Sequence, residues 1–444
     1  MQNHEEINRL KNMVQDLLDE SQKQGASSAE AGLSVDNGLS VTARLGEVET
    51  IEHHCDQSLG VTVYIGKKKG SASTNDFSAD SIKETVKAAC SIAGFSSTDK
   101  YAGLPDKEML ATDFPDLDRN HPWEINAESA IALALECEDA ARSYHAEIIN
   151  SEGASVNTHQ GISILGNSLG FLQGYQATRH SISCSVLGER NDCMQRDYWY
   201  SVSRNAKSLE SAQDIGKKAA ERTINRLGAR SLTTRQCPVL YSAETASGLI
   251  GSLVSAVSGG SLYRKSSFFL DALGTQVLPE FIHIYEQPHL KMALGSAAYD
   301  GEGVKTAGRD LVSKGVLQGY VLSSYSARKL AMKSTGNAGG VHNLTVDSSG
   351  DNDFDAMVKQ LDTGLLVTEL MGQGVNRVTG DYSRGASGFW VEKGQIQYPV
   401  EEITIAGNLK DMYKNIVSVG NDVDYRGNIR TGSILIEQMS IAGE

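Results

Sequence analysis

The chain has 444 residues, 22 % charged and 40 % hydrophobic, with 44 glycines against 7 prolines, which is enough for two or three self-supporting domains and argues against disorder. Lys and Arg number 41 against 55 Asp and Glu, a formal net charge of −14, and without a compensating basic patch such a surface repels phosphate backbones, which argues against nucleic acid as a direct partner. No window approaches the roughly 18 apolar residues of a membrane span, the first twenty residues lack the basic start and apolar core of a signal peptide, and Cys55, Cys90, Cys137, Cys184, Cys193 and Cys237 form no CxxC pair, so the expectation is a cytoplasmic protein with reduced thiols and no membrane partner.

Ile7, Leu10, Met13, Val14, Leu17 and Leu18 recur at three- and four-residue spacing and predict a helix over 6–23, ended by Gly25. The runs 29–35, 39–45, 47–52 and 59–65 read as four strands, with Asn37-Gly38 as a hairpin turn. Lys67-Lys68-Lys69-Gly70 closes another turn, solvated and unfavourable to edge pairing. A second helix is expected over 78–92. Between 97 and 123 the composition shifts to Asp, Pro and Gly, and Pro105, Pro115 and Pro122 break any periodicity, as in a linker or surface-hugging loop.

A long alanine-rich helix follows over 126–143, then strands over 147–157, 161–166, 171–178, 181–187 and 198–203, and a helix over 209–226. Helix, strands, helix thus occurs twice, in 1–97 and in 123–230, which hints at two similar units within an N-terminal domain of 1–230. A C-terminal domain of 231–444 opens with a strand over 237–241 and a helix over 243–257. That helix is rich in Ser and Gly and reads as tightly packed and buried. From 277 onward short strands and glycine turns dominate, with one helix over 353–362. The fold class is α+β: N-terminal helix and antiparallel-strand layers, then a mostly β C-terminal domain.

The stretch 362–420 is the most legible. Apolar runs at 365–367, 388–391, 396–400 and 403–405 alternate with glycine-bearing turns, as in a strand meander. Asp381-Tyr382-Ser383-Arg384-Gly385 reads as a polar turn placed to meet a ligand or a neighbouring chain.

Several motifs reduce to plain structure. Gly166-Asn167-Ser168-Leu169-Gly170 fits G-x-S-x-G, but a nucleophile elbow must lead into a helix and the following residues read as strand, so it is a hairpin turn. Ser326-Ala327-Arg328-Lys329 fits S-x-x-K without its companion motifs. His53-His54-Cys55 on a strand offers one face only two ligands where zinc needs three or four. Gly372-Gln373-Gly374 has Arg377 where a dinucleotide fingerprint needs its third glycine, so no nucleotide cofactor is indicated. His342, beside Gly339-Gly340, is placed either to touch substrate or to cap a strand.

The segments Glu369-Leu370-Met371-Gly372-Gln373-Gly374, Gly380-Asp381-Tyr382-Ser383-Arg384-Gly385 and Ile405-Ala406-Gly407-Asn408-Leu409-Lys410-Asp411-Met412 closely resemble the TldD/PmbA family of bacterial peptidase-complex subunits, and the resemblance extends over essentially the whole chain. In the family's catalytic, TldD-type subunits a helix after the 239–241 strand carries H-E-x-x-x-H, with two zinc-binding histidines and a glutamate that serves as general base. A cysteine near the C-terminus is a further ligand there. Here the matching residues are Ala243-Glu244-Thr245-Ala246-Ser247-Gly248, and no cysteine follows Cys237. Glu244 is retained, but alanine and glycine carry no lone pair for a metal.

The resemblance therefore implies a subunit inactive alone, with no catalytic residue, metal or cofactor of its own, in a heteromeric zinc metallopeptidase. A TldD-like partner would bear the zinc. The complex would act on unfolded or small extended peptides, in peptide-antibiotic maturation and antitoxin turnover. Tyr325, Arg328, His342, Asp381, Tyr382, Ser383 and Arg384 are the expected substrate or partner contacts. Two alternatives stay open: a regulatory protein acting on DNA gyrase or an RNA-binding regulator by contact alone, and a metallopeptidase in its own right using His283, His289 or His342 with Glu244. A homodimer in the partner's absence also stays open.

Overall fold

The computed structural model describes residues 2–443, and Met1 and Glu444 lie outside the described residues. The apolar spacing of the first helix, α1 (Gln2–Lys23), buries Leu10, Val14 and Leu17 completely. They pack against the sheet built from β1 (Ser28–Arg44), β2 (Glu47–Ile65) and β3 (Lys68–Thr74), beside α2 (Ala79–Phe95). The same order returns as α3 (Ala127–Arg142), β4 (Ile148–Asn167), β5 (Leu172–Arg190), β6 (Cys193–Ser203) and α4 (Ala212–Arg226). All six strands form one antiparallel sheet in the order β3-β2-β1-β4-β5-β6. The leading strands of the two runs, β1 and β4, therefore pair at its middle.

Fewer, longer strands replace the short ones expected. Asn37-Gly38 is not a turn: both residues continue β1, paired with Cys55 and His54 on one side and with Gln160 and His159 on the other. Pairing on both flanks satisfies the backbone there, and that outweighs a local turn preference. Gly38 serves close approach instead, since a Cβ at this position would lie 2.6 Å from the Thr158 carbonyl oxygen. The real hairpin turn is Leu45-Gly46, with φ of 54° and 80°, and the buried Glu138 carboxylate accepts both amides at 2.7 and 2.8 Å. The breaks expected near 158–160 and 179–180 are likewise absent, because β4 and β5 run through them. Lys68 to Gly70 belong to β3, and the turn before them is centred on Gly66 and Lys67.

The segment over 97–123 is a strap. Ala111 donates its N–H to the Gly303 carbonyl at 2.9 Å, and Lys305 donates to the Met109 carbonyl at 3.0 Å. These bonds tie it along the C-terminal half of the chain.

That half begins with β7 (Arg235–Tyr241), α5 (Ala243–Ala256) and α6 (Gly259–Tyr263). A small sheet follows, formed by β8 (Ile284–Glu286), β9 (Arg309–Ser313), β10 (Val316–Leu317) and β11 (Leu344–Val346), with α7 (Ser324–Lys329) between the last two. Next come α8 (Phe354–Leu361), β12 (Gly364–Met371), β13 (Asp381–Glu392), β14 (Gln395–Asn408), α9 (Leu409–Lys414) and β15 (Ile416–Val419). The chain ends with β16 (Ile429–Arg430), which joins the small sheet, and β17 (Ile434–Ala442).

β14, β13, β12, β7 and β17 pair in that order, and β14 also pairs with β17, so five strands close on themselves with β15 alongside β17. Closure removes most free edges. Among the described residues an open edge lies on β12, whose parallel pairing with β7 stops at Val367 and Tyr241. Residues 368–371 then have β13 on one side and no strand on the other. Among the described residues no helix is long and apolar enough to cross a membrane.

Candidate functional site

β7 ends at Tyr241, Ser242 adopts an extended conformation, and α5 starts at once with Glu244 in its first turn. An acidic side chain there is favoured by the helix dipole. The helix is not buried all round as expected. Ala246, Leu249, Ile250, Leu253 and Ala256 face the core, while Glu244, Ser247, Gly248, Gly251, Ser252 and Ser255 line three cavities that share Gly248. Small residues at helical spacing make this face a groove floor.

Glu244 sits in a seam where α4 and β6 meet the C-terminal barrel. Its Oε2 accepts from Arg222 Nη1 at 3.0 Å and its Oε1 from Arg426 Nη2 at 2.5 Å. The arginines have further carboxylates. Arg222 Nε donates to Asp197 at 3.3 Å, Arg426 Nη2 donates to Asp424 at 2.9 Å, and Arg226 Nη1 lies 2.6 Å from Glu369 and 3.6 Å from Asp197. The Arg426 guanidinium also lies over Trp199 and Tyr200, with centroid distances of 4.2 and 4.5 Å.

Burial works against the charge on Arg222, but Asp197 and Glu244 more than offset it and raise its pKa above the ordinary value. The same balance holds for Arg426, where Asp424 and Glu244 prevail over burial. Glu244 thus belongs to a lattice of three guanidiniums and four carboxylates. Its carboxylate oxygens accept from the Arg222 and Arg426 guanidiniums.

A zinc ion does not fit here. Ala243 and Gly248, at the positions where the resemblance places the two histidines, offer no lone pair, and Arg222 and Arg426 occupy the space next to Glu244 with positive charge. Among the described residues no three His, Cys, Asp or Glu side chains are grouped to hold a metal. His283, His289 and His342, the alternative ligands weighed from the sequence, are dispersed. His283 lies between Asp347 at 2.8 Å and Asp310 at 3.0 Å, His289 meets the Thr306 hydroxyl at 3.1 Å, and His342 meets the Gly336 carbonyl at 3.0 Å. None of them neighbours Glu244.

The expected contact residues separate in the same way. Tyr325 donates to Asp99 at 2.6 Å, and Arg328 donates to the carbonyls of Tyr101, Gly103 and Leu104 at 2.8, 2.7 and 2.9 Å. Both hold the strap to α7. Residues 381–385 are not a turn but the opening of β13, paired with β14. Strand alternation buries Tyr382 at 3 % exposure and leaves Asp381 and Ser383 outside. Asp381 accepts from Thr379 at 2.6 Å and from Asn408 at 3.2 Å, and the Thr379 bond is the main cause that holds its pKa below the usual carboxylate value.

Only Glu244 and Arg384, among the residues expected, line the α5 groove. Arg222, Arg226, Arg426, Asp197 and Asp424 were not anticipated. Arg222 and Arg226 stand one helical turn apart on α4, but no local pattern connects them to a glutamate on another element.

The candidate site is thus an acidic helix start held among arginines, at the seam between the N-terminal sheet layer and the closed C-terminal sheet. Residues 29–93, 120–227 and 234–443 match, respectively, the PmbA/TldA metallopeptidase domain 1, central domain and C-terminal domain, and the chain belongs to this PmbA/TldD metallopeptidase family. It is 52 % identical to "Metalloprotease PmbA" of Escherichia coli O157:H7, over 94 % of this chain and 93 % of that one. It is 24 % identical to "Metalloprotease TldD homolog" of Buchnera aphidicola, over 84 % and 80 %. A crystal structure of a putative modulator of DNA gyrase from Bacteroides thetaiotaomicron superposes with a TM-score of 0.93 at 26 % identity, covering 98 % and 99 %. TldE from Thermococcus kodakarensis shares the fold, with a TM-score of 0.82 at 18 % identity over 97 % and 100 %.

Proposed function

We propose that this chain is the non-catalytic subunit of a heteromeric PmbA/TldD-type metallopeptidase, and that a TldD-like partner brings the zinc and activates the water. The observation that carries this reading is the start of α5. The positions that would hold zinc are Ala243 and Gly248, and the retained Glu244 is clamped between Arg222 and Arg426.

The chain's contribution is to hold peptide. An extended segment can add to the open edge of β12 at 368–371, where main-chain hydrogen bonds give affinity with little sequence preference. Thr368, Glu369 and Leu370 of that edge line the groove beside α5. Unfolded or small peptides fit such an edge and folded proteins do not. Peptide-antibiotic precursors and antitoxin proteins in the cytoplasm are the substrates this reading favours.

The test measures zinc content and cleavage of an unfolded peptide with the chain alone and then mixed with a TldD-like partner. The reading requires a metal-free, inert chain and an active mixture. Stoichiometric zinc and cleavage by the chain alone would refute it.

A further inference from the structure

The three cavities over α5 differ in how their arginines are matched. Arg196, Arg222, Arg226 and Arg426 each have a carboxylate within 3.6 Å. Arg377 and Arg384 have no such partner among the described residues. Both line one cavity of about 580 Å³, whose floor includes Gly248, Gly251 and Ser252 and whose lining contains no Asp or Glu; Arg384 also borders the neighbouring cavity, whose Asp197, Glu244 and Glu369 carboxylates are held by Arg222, Arg226 and Arg426.

Arg384 is the more telling of the two. Its Nε is buried with no hydrogen-bond partner, its Nη2 reaches the Leu370 carbonyl at 3.4 Å, and the guanidinium also donates to the Tyr382 hydroxyl. A buried guanidinium N–H left unmade is costly and calls for an acceptor. Arg377 is exposed at the same cavity. In a chain of net charge −14, two guanidiniums without an ion-pair partner around one concavity form a local well for an anion.

We propose that this cavity takes the C-terminal carboxylate of the bound peptide, with Arg384 inside and Arg377 at the entrance. The proposal rests on the peptide-holding role above and adds direction to it. The open edge of β12 runs through Met371 directly into Gly372 and Gln373, which line the cavity. A strand added parallel to β12, as β7 is, brings its C-terminus there. An antiparallel strand would bring an ammonium group against two arginines. The planar guanidinium suits a carboxylate through paired N–H donors. Gly248 leaves room, because a Cβ at that position would meet nothing within 4 Å.

An acidic side chain offers the same chemistry, so the experiment separates the two sources. Fluorescence anisotropy on the full chain compares one unstructured, otherwise neutral peptide, labelled at its N-terminus, in three forms: free acid, C-terminal amide, and amide with glutamate as last residue. The free acid should bind about tenfold tighter than the amide, the range of one charge-assisted contact. Arg384→Gln should reduce that preference to within about twofold. Because Arg384 also touches the barrel backbone, Arg377→Gln, exposed and without a side-chain partner, serves as the second variant. It should narrow the preference by about threefold with the fold intact.

Equal binding of acid and amide by the unaltered chain overturns the proposal and leaves the peptide-holding role standing. A glutamate amide that matches the free acid assigns the cavity to acidic side chains and overturns the C-terminal assignment. Failure of all three peptides to bind overturns the peptide-holding role itself.

Discussion

Replacing Glu244 by glutamine separates a structural carboxylate from a catalytic one. The substitution keeps the side-chain volume and removes the charge between Arg222 and Arg426. Breaking a fully buried ion pair costs about 3–5 kcal/mol, whereas an exposed pair contributes about 0–1 kcal/mol. Glu244 lies between these limits, with its side chain 25 % exposed against 21 % for Arg222 and 14 % for Arg426. Each arginine also keeps a second carboxylate, Asp197 or Asp424. The expected loss is therefore about 1–2 kcal/mol, or a fall of about 2–8 °C in Tm for a cooperative unit of this domain's size.

Calorimetry or denaturant unfolding of the isolated chain reads this loss. Peptide cleavage by the complex with a TldD-like partner should stay within about twofold, because a general base normally contributes about 10²–10⁴-fold. A drop of a hundredfold or more in a folded, assembled complex would show that Glu244 acts on the reaction, and the arginine clamp would then have been misjudged.

Three further outcomes follow from other parts of the molecule. The double substitution Ala243→His with Gly248→His restores the motif by sequence, yet Arg222 and Arg426 still crowd Glu244 and no third ligand is present, so elemental analysis should find well under one zinc per chain; one full equivalent would contradict the fit argued above. Arg328→Ala removes three bonds to the strap, and limited proteolysis should cut within 97–123 faster while the sheet and barrel stay resistant. At His283 burial lowers the pKa but the bonds to Asp310 and Asp347 prevail, so the folded value lies above the unfolded one. Its stabilising contribution is thus complete below about pH 6.5 and is lost as pH rises through the folded pKa; His283→Gln should lower Tm at pH 6 and leave it nearly unchanged at pH 9, and equal losses at both would refute the assignment.

Helices were easier to locate from sequence than strands. The expected helices over 6–23, 126–143 and 353–362 correspond to α1, α3 and α8 within a few residues, because an amphipathic period repeats over several turns and one face must be buried. Strand breaks were misplaced wherever polar or glycine residues lay in the middle of the sheet. Asn37-Gly38 is a hairpin signal by local chemistry, and only the flanking strands, more than ten residues away in sequence, turn it into an interior pair. Residues 381–385 were misplaced for the same reason, since β14 supplies partners that the segment itself does not announce.

By itself the sequence determined the α+β class, the family resemblance and the presence of Ala243 and Gly248, which carry no metal-binding atoms, around Glu244, since these depend on residue identity and local period. The tertiary structure decided what surrounds Glu244. Glu244 meets Arg222 and Arg426 across separations of 22 and 182 residues, and Arg384 is left without a carboxylate partner while Arg222, Arg226 and Arg426 have theirs. Charge pairing is a property of distance in space, and distances of that kind exist only once the sheet has docked on the barrel.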